Sequence, residues 1–149
     1  MTPEQLDFLD RASAAAATAD HPFPQMAACE AALESAFGKS ALAAEDFNLF
    51  GLKQHTHPVF GTVALPTKEF EHHEWVPTIA FWVKYPDWAT CFADRLDTLK
   101  RLAPKYPHYA AALAAQDAAT FVREVSQTWS TDPDRAQKCL AIYREYTAA

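Results

Sequence analysis

Glycine is scarce in this chain, with three among 149 residues. Turn-rich β architectures draw on glycine's backbone freedom, and here alanine, the strongest helix former, takes the place of the small residue. The composition therefore predicts a mainly helical protein. Cysteine is equally sparse: Cys29, Cys91 and Cys139 are too few and too widely spaced for a disulfide framework or a CxxC metal pair. They read as reduced thiols that pack as small apolar groups. Basic residues are outnumbered, 13 Lys and Arg against 19 Asp and Glu, for a net charge of −6. Scattered cations in an acidic chain exclude unspecific binding to DNA or RNA, which needs clustered Lys and Arg against phosphates. No run of about 18 apolar residues is present to span a membrane. The start Met1-Thr2-Pro3-Glu4 lacks the basic and apolar regions of a signal peptide. The expectation is a chain made soluble, with any export left to another route.

What is present is a core-forming composition, 50% hydrophobic and 13% aromatic. A chain of this length fits one domain over 1–149, which buries roughly 70% of its unfolded surface. No repeat or linker interrupts it. Thr2 and Pro3 open a predicted helix to Ala19 with Leu6, Phe8 and Leu9 inward. His21-Pro22-Phe23-Pro24 breaks it. A second helix starts at about Pro24, with Met26, Cys29, Leu33 and Phe37 on one face, and Gly38 is its expected C-terminal stop. Ser40 to Asp46 reads as a short helix, and Phe47 to Lys53 is too aromatic for an exposed loop and should pack inward. Val59 to Leu65, Thr67 to Glu71 and Trp75 to Val83 are β-like, broken at Gly61 and Pro66, and form a small lobe at about 59–83. Helices resume at Asp87, where Trp88, Cys91, Phe92, Arg95, Leu96, Leu99 and Leu102 repeat with helical period up to Pro104. Three more cover Tyr106 to Gln116, Ala118 to Thr128 and Pro133 to Tyr146, the last capped by Asp132. The plan is α+β, mainly α, with a cleft between helical body and β-lobe.

Glu34 falls in the last turn of the second helix. There the helix dipole, Glu30 one turn earlier and the apolar Phe37 and Phe50 would all disfavour the carboxylate, as a general acid requires. Glu69 and Glu71 share one side of a strand. His55-Thr56-His57 and His72-His73 lie near these glutamates and use zinc-site vocabulary, but without an HExxH pattern no metal is assigned. Phe50, Trp75, Trp82 and Trp129 are the aromatics available to stack on sugar faces.

The segment Ala31-Ala32-Leu33-Glu34-Ser35-Ala36-Phe37-Gly38-Lys39-Ser40, followed by Asn48-Leu49-Phe50-Gly51-Leu52-Lys53, resembles the glucosaminidase family of peptidoglycan hydrolases. Thr67-Lys68-Glu69-Phe70-Glu71 and Trp129-Ser130-Thr131-Asp132-Pro133-Asp134 resemble two further family segments in the same order. Ala36, Phe37 and Trp129 depart from the usual Gly, Trp and Tyr. The resemblance implies a lysozyme-like helical domain with a β-lobe beside the active-site cleft, and a hydrolase of the β-1,4 bond after N-acetylglucosamine. It implies Glu34 as general acid and Glu69 as the second catalytic group, with Glu71 and Glu74 as alternatives. Glycosidases place that second carboxylate about 5 to 5.5 Å away as nucleophile or about 6.5 to 9.5 Å away as base, and some let the substrate's N-acetyl group act instead. Phe37, Asn48, Phe50, Glu71 and Trp129 are implied as substrate contacts, and no cofactor is expected. The partners implied are peptidoglycan glycan strands, plus a cognate inhibitor protein if the chain is an injected antibacterial toxin rather than a phage lysis enzyme. A lytic transglycosylase or muramidase on the same fold, and a silent wall-binding module, are the competing expectations.

Overall fold

Thr2 caps the first helix as its sequence predicts: its hydroxyl accepts the Gln5 N–H, and the Gln5 side chain accepts the Thr2 N–H in return. In this computed structural model, which describes residues 1–54 and 60–149, that helix is α1, Pro3–Thr18. It is followed by α2 (Pro24–Ser35), α3 (Ala41–Asp46), β1 (Thr62–Glu71), β2 (Glu74–Val83), α4 (Trp88–Leu102), α5 (Pro107–Leu113), α6 (Ala118–Trp129) and α7 (Arg135–Ala148). His55, His57 and Val59 lie outside the described residues. The architecture is the expected α+β, mainly helical and lysozyme-like, with one small sheet.

The centre is α2. Met26, Ala27, Ala28, Cys29, Ala31 and Ala32 are all buried, so this helix is apolar nearly all round and is packed on several sides. Small alanines let α1 and α7 approach it closely. All three cysteines are free and buried. The expected inward packing of the Phe47–Lys53 stretch holds for Leu49, Phe50 and Leu52, whereas Phe47 is exposed.

The end of α2 differs from the expectation. The helix stops at Ser35, and Ala36, not Gly38, takes the left-handed cap, at φ 51°, followed by Phe37 at 55° and Gly38 at 79°. Ser35 makes this possible. Its hydroxyl donates to the Ala31 carbonyl at 2.6 Å and accepts the Gly38 N–H at 2.9 Å, which locks the turn onto the last helical coil. Glycine is needed at 38 because a Cβ there would lie 2.9 Å from the Phe8 ring. The start of α7 differs as well: Asp134 is at the cap, while Asp132 accepts the Asp134 N–H in the preceding turn and pairs with Lys138. The helix expected over Tyr106 to Gln116 is shorter, Pro107–Leu113.

β1 and β2 form one antiparallel hairpin with Glu71 opposite Glu74. Pro66, expected as a break, sits within β1 opposite Ile79, which a two-stranded sheet tolerates because each strand has a free edge. His72 and His73 close the turn with φ of 49° and 66°, the doubly left-handed geometry of a tight hairpin. The register puts Val63, Leu65, Thr67 and Glu69 on one face with Trp82, Ala80, Thr78 and Val76. The other face carries Phe70, Trp75, Ile79 and Phe81, all exposed. Asn48 ties the hairpin base to the body through hydrogen bonds to the carbonyls of Leu52 and Val83.

Candidate active site

Two glutamates one turn apart on α2 meet two arginines delivered by α4 and α7. Glu30 is fully buried and takes both ends of the Arg95 guanidinium, at 2.9 and 2.6 Å. Arg135, also buried, reaches Glu30 at 2.9 Å and donates from Nε and Nη2 to Glu34 Oε1 at 3.0 and 2.9 Å. Its remaining nitrogen donates to the Ser126 hydroxyl of α6. Trp129, the last residue of α6, donates its indole N–H to Glu34 Oε2 at 3.2 Å. The Arg95 guanidinium lies 4.5 Å from the Trp129 ring and 4.6 Å from the Phe50 ring, between the two. Glu30, Arg95 and Arg135 persist as buried charges because each is paired and hydrogen-bonded; removing one partner of a fully buried pair such as Glu30–Arg95 costs roughly 3–5 kcal/mol.

The two carboxyls respond differently. Burial alone would raise Glu30, but Arg95 and Arg135 outweigh it and hold that carboxyl well below its ordinary range. Glu34 is raised: burial is the largest influence, opposed by Arg135, Arg95 and the Trp129 hydrogen bond, with a lesser upward push from Glu30. Glu30 thus pushes Glu34 upward as its place one turn earlier predicts, while its own charge is engaged by the two arginines. Glu34 is half-buried and opens on a cleft of about 300 Å³ lined with Leu33, Phe50, Gly51, Ser130, Asp132 and Arg135. Ser130 and Asp132 also line an adjoining groove of about 630 Å³ that runs past Arg123 and Gln127. The arrangement is one carboxyl with a raised proton affinity, fixed in the lining of an open cleft, which suits proton donation to a polymer lying across it.

The family model for glucosaminidase, described as mannosyl-glycoprotein endo-beta-N-acetylglucosaminidase, matches residues 10–148. The chain belongs to the glucosaminidase family. It is a glycoside hydrolase by that membership. Solved structures similar to this chain include the catalytic domain of the autolysin Auto from Listeria monocytogenes, with TM-score 0.82, 23% identity, and 99% of this chain and 86% of that one covered. The C-terminally truncated glycoside hydrolase domain of FlgJ from Salmonella typhimurium aligns with TM-score 0.75 and 25% identity over 97% and 99%. A type VI secretion system effector-immunity complex from Pseudomonas protegens aligns with TM-score 0.59 and 18% identity over 99% and 96%. No curated protein sequence matches the chain.

Of the residues singled out in the sequence, Glu34, Phe50 and Trp129 come together. Asn48 does not join them as a substrate contact: it is buried, its amide donates to two carbonyls and its carbonyl accepts the Leu52 N–H. Phe37 packs edge-on against Phe8 with centroids 5.9 Å apart and is not among the residues lining the Glu34 cleft. Glu69 is exposed, 3.4 Å from the Lys53 ammonium, in a separate groove of about 530 Å³ with Thr78, Ala80 and Phe81. Glu71 and Glu74 are exposed at the hairpin tip beside Trp75, while Trp82 sits under Lys53. Among the described residues no group of three His, Cys, Asp or Glu could hold a metal ion. Sequence reading missed Arg135 and the role of Arg95. The available signal was a charged residue inside each apolar helical repeat, Arg95 in α4 and Glu30 in α2, since a charge on a buried stripe calls for a partner.

Proposed function

We propose that this chain cleaves peptidoglycan glycan strands at the β-1,4 bond after N-acetylglucosamine, with Glu34 as general acid. The observation that carries the reading is the raised Glu34 carboxyl, oriented by Arg135 and Trp129 in the lining of an open cleft, in a chain of this family. Glu34 protonates the glycosidic oxygen as the C1–O bond breaks, and water adds to C1 and loses a proton to a base, so both products leave with intact hydroxyls. Glu69 is proposed as that base, brought across the cleft by the β1–β2 hairpin when glycan is bound. Glu69 is exposed and, among the described residues, is paired with Lys53. The acetamido group of the substrate is the alternative if no carboxylate is delivered.

Cell-wall turbidity with the natural protein and with Glu34→Gln tests the acid. Near-total loss of clearing with an unchanged or higher melting temperature is the expected result; retention of more than a few per cent of activity rejects it. Mass spectrometry of the released muropeptides should find reducing N-acetylglucosamine ends. Anhydromuramic ends would make the enzyme a lytic transglycosylase, and reducing muramic ends a muramidase. The likeness to a solved effector-immunity complex supports, at the level of fold, an antibacterial setting in which an inhibitor protein plugs the Glu34 cleft.

A further inference from the structure

The two oxygens of Glu34 are divided between different donors. Oε1 takes two N–H groups from Arg135, at 3.0 and 2.9 Å, which occupy both of its lone pairs. Oε2 takes one, the Trp129 indole N–H at 3.2 Å. A proton on Glu34 therefore resides on Oε2. The indole is itself held from three sides: the Arg95 guanidinium lies on its face at 4.5 Å, and Phe50 and Tyr109 meet it with centroids 6.3 Å away. Arg95 is in turn fixed by Glu30, which also anchors Arg135. Glu30 thus terminates both arms of a closed ring, one running through Arg95 and Trp129 to Oε2, the other through Arg135 to Oε1.

We propose that Trp129 is a positioning residue for Glu34: its indole N–H fixes the Oε2 oxygen and, because it can only donate, leaves that oxygen's acid proton free for the substrate. The proposal rests on Glu34 as the general acid. An indole N–H has no lone pair in the plane to accept a hydrogen bond, whereas a hydroxyl in the same place could accept the Oε2 proton and compete with the glycosidic oxygen. Arg135 alone would fix one oxygen and leave the carboxyl free to pivot about it; the second contact sets the plane.

The contact is read directly by the indole ¹H–¹⁵N resonances of the chain's four tryptophans. The Trp129 signal is assigned by its absence in Trp129→Phe. In the natural protein it should move with pH along one titration, and in Glu34→Gln that titration should vanish. A pH-independent signal, or a titration that survives in Glu34→Gln, overturns the proposal. Trp129→Phe keeps an aromatic ring beside Arg95 while removing the donor and part of the ring's bulk, and the movement of the pH limb separates the two effects. Losing a hydrogen bond to the charged form favours the neutral one, so the alkaline limb of the wall-clearing rate should move up by about half a pH unit or more, with kcat lowered and KM little changed. A fall in rate at every pH with no movement of the limb would mean Trp129 only fills space and would also overturn it. Should Trp129→Phe fail to fold, the Trp129 signal is assigned by elimination from Trp75→Phe, Trp82→Phe and Trp88→Phe, and the resonance of the natural protein still decides. The two readings fail separately: full activity in Glu34→Gln sinks the acid role, whereas the indole titration reports the Trp129–Glu34 contact whether or not Glu34 is catalytic.

Discussion

His21 is buried with its Nδ1 accepting the Phe23 N–H, its ring edge-on to Phe121 and its Nε2 without a hydrogen-bond partner. Burial, with Arg95 nearby, lowers its pKa from 6.5 to about 4. The unfolded imidazole takes up a proton below about 6.5 and the folded one only below about 4. Stability from this residue is therefore complete above the higher value and is lost as pH falls toward the lower one, by an amount on the order of 3 kcal/mol. Urea unfolding at pH 7 and pH 4.5 should find His21→Gln less sensitive to acid than the natural protein. Glu34, whose raised pKa acts in the opposite sense, is common to both proteins and cancels in the difference. Equal sensitivity would show that His21 is not held neutral. Residues of this kind were only half legible in the sequence. His21 was visible as part of a helix-breaking His-Pro-Phe-Pro run, but its burial depends on α6, about a hundred positions away.

The element that sets the acid in place is the turn after α2. Ala36 occupies a left-handed cap that costs a residue with a Cβ roughly 1–2 kcal/mol, and its side chain is exposed and packs on nothing that would be missed. Ala36→Gly should raise stability by about 0.5–1 kcal/mol, the relief of strain less the added freedom of the unfolded chain, and calorimetry should record a rise of a few degrees in Tm. Gly38→Ala should do the reverse and more strongly, by about 2 kcal/mol, since it adds strain at φ 79° and a clash with Phe8. A neutral Ala36→Gly would mean the turn is held by Ser35 alone. The position of this turn was legible from Glu34-Ser35 and Gly38, but which residue took the cap was not. That was decided by Phe8 of α1, which crowds position 38 so closely that the glycine had to be spent there.

At the scale of the whole molecule, the question is how a carboxylate on the hairpin could serve an acid on the helical body. The hairpin is fastened at its base, where Asn48 holds Leu52 and Val83 and Lys53 bridges to Trp82, while its outer half from Phe70 to Trp75 is exposed. Glu69 adjoins that exposed outer part, and the proposed mechanism requires the hairpin to bring it to Glu34 when glycan is bound. Glu69→Gln should lower kcat by about 10²-fold or more with little loss of wall binding, and azide should restore part of the turnover by replacing the activated water. Near-normal activity in this variant, and also in Glu71→Gln and Glu74→Gln, would favour attack by the substrate's own acetamido group. Local patterning was enough to determine a helical chain with a β insert, three thiols packed as apolar groups, the capped start of α1 and a glutamate at the end of α2, because capping, periodicity and motif spacing act over a few residues. Only the tertiary structure could decide that Glu30 belongs to Arg95 and Arg135, that Asn48 is spent on the hairpin base, and that Trp129 and Arg135 share the oxygens of Glu34. The long-range contacts among them join positions about 35 to 105 residues apart. The strength of a buried ion pair depends on the desolvation and geometry that packing creates, which no stretch of sequence carries by itself.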